Sequence, residues 1–338
     1  MMYKTLVFIL LFAVMWTLGA ADKTSYKVLW FGDLHYDEVV FHDKSIVNYT
    51  PRQQLNFDYY SGIWQKKAPA MLKAAKSRHL DDSDFVIQIG DWIQGDASSA
   101  EDKSRQMQKA IQVVTSGINK PVYTLRGNHD ARGNGGMEGY RKVILPFLSR
   151  QLKKEVTSLN YKFVHSEDLY IFVDSLDIDF DFLEKSLAES GKYRWVFVAA
   201  HYALIPPVGS TRCKFGKSPE EVKRLLELFL KHNVILLCGD SHEFYVVQYA
   251  RKGNKFTQLM SNSVIATPWK DLQSRKEDLT KNMSESMAFL NKDIVSVREW
   301  SGAGFAVLRI SNKSVDLEYY YTENGYTKPG FAETVRTR

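Results

Sequence analysis

Cysteine is nearly missing: the 338-residue chain has two, Cys213 and Cys238. A disulfide-stapled scaffold is therefore excluded, and the fold must rest on a buried apolar core. Cys238 lies inside an apolar run, the setting of a buried free thiol, although a Cys213–Cys238 bridge stays open in an oxidising compartment. Lys and Arg form no block despite a formal net charge of +6, which argues against a nucleic-acid groove. Such scattered positive charge modestly favours small anionic substrates. There is no internal repeat and no low-complexity linker, so one domain is the simplest organisation. Neither a GXSXG elbow nor a Cys-containing phosphate loop occurs, and no covalent serine or cysteine nucleophile is indicated.

Long apolar runs are also absent, with one exception at the start. MMYKTLVFILLFAVMWTLGAAD has one early lysine, an unbroken apolar stretch and a small-residue exit at Gly19, Ala20 and Ala21. That pattern predicts a secretory signal peptide over residues 1–21 and a mature domain over 22–338, in a secreted, periplasmic or endomembrane-lumen setting. An uncleaved anchor is the alternative, at the short limit for a bilayer span, and no later segment would span. Sequons at Asn48, Asn282 and Asn312 do not by themselves establish glycosylation.

Seven short runs read as strands buried on both faces: KVLWF, DFVIQI, PVYTL, YKFVH, LYIFV, RWVFVAA and NVILL. Helix-like stretches fall between several of them: IWQKKAPAMLKAAKSRHL, SRQMQKAIQVVTSGI, DFLEKSLAESGKYR and SPEEVKRLLELFLKH. Ser218-Pro219-Glu220-Glu221 carries the marks of a helix start. This alternation predicts an α/β fold. After about residue 245, FYVVQYA, KFTQLM, GFAVLRI and SVDLEYYY read as antiparallel strands, and the polar stretch WKDLQSRKEDLTKNMSESMAFLNKD as a surface excursion.

The residues just past the strands carry the chemistry. KVLWF runs into Gly32-Asp33-Leu34-His35, DFVIQI into Gly90-Asp91, and PVYTL into Arg126-Gly127-Asn128-His129-Asp130. RWVFVAA ends in His201, and NVILLC in Gly239-Asp240-Ser241-His242. Each piece alone is an ordinary turn or a structural histidine. Together they gather carboxylates, imidazoles and an amide oxygen at strand ends, where α/β sheets form sites. A donor set without thiolate suits Mn, Fe or Zn. The ligands are too many for one four-coordinate zinc, and two divalent ions sharing a carboxylate fit better.

These blocks, GDLH, GD, GNHD, AAHY and GDSH, resemble the calcineurin-like metallophosphoesterase superfamily, from Asp33 to His242. The resemblance implies two packed mixed β-sheets flanked by helices, a four-layer αββα sandwich. It implies a first metal held by Asp33, His35, Asp91 and His242, and a second by Asp91, Asn128, His201 and the residue at 240. It also implies that His129 stabilises or protonates the ester without binding metal, and that Asp130 orients His129. Two cations would then neutralise a phosphate ester and supply hydroxide at neutral pH, giving a metal-dependent phosphoric ester hydrolase acting on a small phosphorylated substrate. Phosphomonoesters are slightly preferred on the net charge. A phosphodiesterase, or a non-catalytic phospho-ligand-binding protein with a degenerate second site, is the alternative.

The chain departs from the family pattern at Asp240, where histidine is usual. A third anionic ligand predicts a harder second site that takes Mn, Mg or Fe, and a less acidic bridging water. Gln94 stands where purple acid phosphatases carry their iron-binding tyrosine, so no purple chromophore is expected. Arg126 and Arg132 are candidate phosphate clamps or salt-bridge partners. Tyr36, Trp92, Tyr202, Phe244 and Tyr245 are candidate pocket walls, though packing is their commoner use. Gly133, Gly135 and Gly136 suggest a mobile loop. His42, His79, His165 and His232 match no block.

Overall fold

The computed structural model describes residues 25–41, 51–95, 99–133, 135–206, 215–265, 270–271 and 285–338. The expected signal segment 1–21, the sequons at Asn48 and Asn282, His42, Cys213 and most of the polar excursion lie outside these. Among the described residues, no helix is long and apolar enough to cross a membrane.

Fourteen strands form two sheets. The first has β1 (Tyr26–Phe31) at its middle, with β2 (Phe85–Gln88) and β3 (Val122–Thr124) running parallel on one side. On the other side β12 (Gly304–Ile310), β13 (Ser314–Tyr321) and β14 (Phe331–Thr337) continue it antiparallel. The second sheet has the parallel set β5 (Asp168–Val173), β6 (Val196–Ala200), β7 (Ile235–Cys238) and β9 (Asn254–Met260). Antiparallel β4 (Tyr161–His165) closes one edge; β8 (Phe244–Arg251), β11 (Ile294–Ser301) and β10 (Lys270–Asp271) extend the other.

Among the described residues, five α-helices flank the sheets: α1 (Pro51–Ala75), α2 (Ala100–Thr115), α3 (Gly136–Leu152), α4 (Phe180–Leu187) and α5 (Pro219–Lys231). Period-two alternation sorts the second sheet's side chains. Tyr170, Phe172, Phe197 and Ala199 join the core shared with the first sheet and α1 to α3. Leu169, Ile171, Val196 and Val198 face the other way, onto α4 and α5. Helices, sheet, sheet, helices is therefore the layer order, an αββα sandwich as expected.

The α5 start reads as its sequence does: Ser218 Oγ accepts from the Glu221 amide, with Pro219 in the first turn. Three elements were not evident in the sequence. β11 and β14 lack long apolar runs, because each is exposed along part of its length. The third is α3: the glycines after GNHD do not form a free loop but lead straight into this helix. Gly135 and Gly136 lowered the helical signal, yet both back onto other backbone (Gly135 against Ala100, Gly136 against Ala131) in space no Cβ would fit.

Register explains how the strand ends meet. Phe31 pairs with Gln88, Val173 with Ala200, Ala199 with Leu237, and Cys238 with Met260. Parallel neighbours in step leave their carboxyl ends level, so the loops leaving them open at one rim.

Candidate metal centre

Gly32-Asp33-Leu34-His35 leaves β1, Gly90-Asp91 follows β2, Asn128 to Asp130 follow β3, His201 follows β6, and Asp240 to His242 follow β7. The chain turns sharply at each. His35, Asp91, Asp240 and His242 all have positive φ, 47°, 53°, 73° and 58°. Left-handed backbone at four non-glycine residues of one cluster costs energy, and such strain gathers at functional sites. Gly90 and Gly127 let the second and third loops touch: a Cβ on Gly127 would lie 2.0 Å from Asp91 Oδ1, and one on Gly90 2.6 Å from the Gly127 nitrogen.

The side chains converge in two groups. In the first, His35 Nε2 and His242 Nε2 face each other at 3.0 Å, with Asp33 Oδ2 3.5 Å from His242 and Asp91 Oδ2 3.7 Å from His35. In the second, Asn128 Oδ1, Asp91 Oδ2 and Asp240 Oδ1 lie 3.1, 3.4 and 3.9 Å from His201 Nε2. Asp91 Oδ2 thus belongs to both. Atoms that share one cation at about 2.0–2.2 Å are themselves roughly 3–3.5 Å apart, so this spacing fits metal ligation. Asp33 Oδ1 is fully buried without a hydrogen-bond partner, as an anionic ligand lacking its cation would be. Asp33, His35 and His242 form one group able to hold a metal ion; His35, Asp91 and His129 form another.

Supporting contacts fix the cluster. The Asp91 carbonyl accepts from the Leu34 and His35 amides, both at 2.9 Å, locking the first two loops together. Asp33 Oδ2 accepts from the Asp240 amide at 2.9 Å, which points the 240 turn inward. His201 Nδ1 sits 2.9 Å from the Ile89 carbonyl; donation to it leaves Nε2 as the atom facing the cluster.

Burial and charge set the protonation states. Burial lowers His35 well below the usual histidine value and lowers His242 to about 4, so both imidazoles are neutral, the form that binds metal. Burial also opposes charge on His201, but Asp91, Asp33 and Asp240 overcome it and raise the group to about 10. Burial opposes ionisation of Asp91 too, yet His201, His35 and His129 hold it well below the carboxylate range. Asp33 is raised, by burial first.

Two expected roles change. Asp130 does not hold the His129 ring. Its Oδ2 accepts from the Asp91 and Gly127 amides and its Oδ1 from Trp92, all at 2.8 Å. It is therefore the post around which the second and third loops are wound, with burial and Asp91 raising it to about 7. The ring is held instead by Gln94, whose carbonyl lies 2.8 Å from His129 Nδ1. Arg126 is neither a phosphate clamp nor a surface pair: it forms a buried ion pair with Asp174 at 2.7 Å. Tyr36, Trp92, Phe244 and Tyr245 are core residues, and Tyr202 alone of the five candidate walls is half-buried, its ring 5.5 Å from His201. Cys238 is a buried free thiol.

The strand-end pattern extends to one loop not singled out in the sequence, the Ser261-Asn262-Ser263 turn after β9. Ser263 Oγ and the Val264 amide both bond the Asp33 carbonyl at 3.0 Å, and all three turn residues are buried. The rule that found the other loops applies here as well, since KFTQLM runs straight into it.

A cluster of groups able to ligate metal thus stands at the rim of a two-sheet sandwich. The chain belongs to the calcineurin-like phosphoesterase family, whose model matches residues 26–244. Solved structures share the fold at low identity. A protein of Plasmodium described as GAP50, the anchor in the inner membrane complex, is 14% identical with a TM-score of 0.54, covering 94% of this chain and 90% of its own. A dimetal phosphatase from Danio rerio is 10% identical with a TM-score of 0.50, covering 92% and 99%. The purple acid phosphatase PPD1 from yellow lupin is 14% identical with a TM-score of 0.52, covering 92% of this chain and 54% of its own. A comparison with curated proteins finds no match.

Proposed function

We propose that this chain is an exported phosphoesterase using two divalent metal ions, with a lean toward phosphomonoesters. The observation that carries it is Asp91 Oδ2, which lies 3.7 Å from His35 Nε2 and 3.4 Å from His201 Nε2 and so stands between two donor groups. Asp33, His35, Asp91 and His242 would hold one ion, and Asp91, Asn128, His201 and Asp240 the other. When bound, the ions supply a nucleophile at neutral pH and neutralise the ester. The protein's own residues do the rest. The Gln94 carbonyl supports Nε2 as the working nitrogen of His129: with Nδ1 donating to that carbonyl, the imidazolium would carry its second proton on Nε2. His129 would then donate it to the leaving oxygen. The Asp240 carboxylate faces His201 rather than turning away, which supports ligation through oxygen at the second site. The lean to monoesters rests on the net charge of +6, and export on the apolar start of the chain.

A second reading comes from Asp240, which stands where the family usually carries histidine: a non-catalytic member that binds phosphorylated ligands. One assay separates the two. Metal-stripped protein is titrated with Mn, Zn, Fe and Mg and offered an aryl phosphate and the matching diester. Metal-dependent turnover that drops about 10²–10⁴-fold in His129→Ala supports the enzyme. Metal binding by calorimetry without turnover, together with turnover gained in Asp240→His, would establish the binding protein.

A further inference from the structure

At the other end of β6 and β7 lies a second, oppositely charged feature. A cavity of about 500 Å³ opens where these strands begin, at Val196 and beside Asn233, roughly a strand's length from His201. Its size falls within the roughly 300–1,000 Å³ of pockets that hold cofactor-sized ligands. Arg194, Lys231, Lys255, Arg336 and Arg338 line it, and no Asp or Glu side chain does. Among the described residues, Arg194 alone of these is paired with a carboxylate, Asp168 at 2.5 Å.

Arg336 is the anomaly. It comes from β14 of the first sheet yet reaches the second, where Nη2 donates to the carbonyls of Asn233, Val234 and Lys255 at 3.1, 3.1 and 2.9 Å. It is 6% exposed, and its Nε is buried with no acceptor. Among the described residues it has no carboxylate partner. Burial alone lowers the guanidinium, to about 10, with no charged neighbour contributing. A buried cation without a counter-ion costs several kcal/mol, and a neutral donor would serve the three carbonyls as well. Three carbonyl oxygens solvate the guanidinium, but no carboxylate of the described residues balances its charge. Lys231 and Lys255 are exposed at the cavity and likewise form no ion pair among the described residues. Ser190 Oγ, 2.7 Å from His232 Nδ1, adds a hydroxyl on the same wall.

The geometry points to a binding site for a multiply phosphorylated ligand in this cavity, held by Arg336, Lys231, Lys255 and Arg338 and separate from the metal centre. Three cations without a carboxylate partner among the described residues, Arg336, Lys231 and Lys255, exceed what one phosphate neutralises, and guanidinium and ammonium together suit adjoining phosphate groups. The site does not depend on the phosphoesterase reading, because no metal-centre residue lines it.

The test is calorimetric titration of the metal-stripped full chain with tripolyphosphate and with orthophosphate, in about 0.15 M salt so that loose surface attraction is screened. Tripolyphosphate is expected to bind, more tightly than orthophosphate, and to bind His242→Ala equally well. Affinity is expected to fall at least tenfold in the double variant Lys231→Glu with Lys255→Glu, whose side chains are exposed and need not disturb folding. Arg336→Gln is expected to abolish binding; if that variant does not fold, the lysine pair still decides. Vesicles of phosphatidylcholine with and without a phosphoinositide identify the source: co-flotation competed by tripolyphosphate indicates a lipid headgroup, and tripolyphosphate binding without co-flotation indicates a soluble ligand. No binding, unchanged binding in the lysine variant, or loss only in His242→Ala would overturn the proposal.

Discussion

The two donor groups of the candidate metal centre, its two halves, share Asp91 but differ in charge. The half with Asp33, His35 and His242 offers two imidazoles that burial keeps neutral. The half with Asn128, His201 and Asp240 offers one imidazole ringed by three carboxylates, which raise it to about 10. In the metal-free protein, then, the first half presents ready lone pairs, while the second holds a proton where a cation would sit. Metal must displace that proton from an imidazole in the second half and, because burial raises Asp33, it competes with a carboxyl proton in the first, so loading of both halves depends on pH, through different groups. Each half has two carboxylates, with Asp91 common to both; they differ because Asp91, Asp33 and Asp240 together outweigh burial at His201, whereas burial outweighs charge at His35 and His242.

Removing the shared group should erase the comparison. Asp91→Asn is expected to cost roughly 4 kcal/mol of transition-state stabilisation, a fall of ~10³-fold in kcat/KM, and to weaken metal uptake at both halves. Calorimetry showing one half intact would refute the bridging role.

The proton on His201 sharpens the contrast. Its folded value is raised above the ordinary 6.5, so its contribution to stability is full below about pH 6.5 and is lost as pH rises through about 10. In metal-free protein the stability gap between wild type and His201→Gln should shrink over that window by several kcal/mol, at ~1.4 kcal/mol per pKa unit, as read from urea unfolding. Metal titration should show proton release that is smaller in His201→Gln than in wild type. A pH-independent gap would contradict this.

Asp130→Ala tests whether both halves depend on one buried post. Four backbone amides would lose their acceptor, a cost of about 2–3 kcal/mol in stability, with metal affinity falling about 10–100-fold at both halves. A variant of unchanged melting temperature would show the loops to be held elsewhere.

The smallest effect is expected from Asp240→His, which makes the halves alike in donor type. Zinc affinity at the second half should rise and magnesium affinity fall, each within about tenfold, or about 1.4 kcal/mol. Equal affinities in wild type and variant would mean that Asp240 does not ligate.

Much of this site could be read from the chain because parallel strands obey a one-dimensional rule. Near-continuous apolar runs such as DFVIQI and NVILLC mark where each strand stops, and Asp91 and Asp240 stand directly after. Asp130 shows where that rule ends. Its place beside His129 suggested a pairing between neighbours, but its carboxylate turns back to amides nearly forty residues away, at Asp91 and Trp92. Gln94 holding His129 by its main-chain carbonyl is invisible for a related reason: any residue supplies a carbonyl, so side-chain identity carries no signal.

By itself, then, the sequence determined the α/β class, the loops that carry ligands, and the donor atoms on offer, since these depend on local hydrophobic pattern and residue chemistry. Tertiary structure alone decided how those atoms are used. Sheet register brought Asp91 Oδ2 between two imidazoles, burial chose which histidines are neutral, and β14 delivered Arg336 to the far end of the opposite sheet. Distance, dielectric and charge compensation are properties of the packed molecule, and no stretch of chain holds them before it folds.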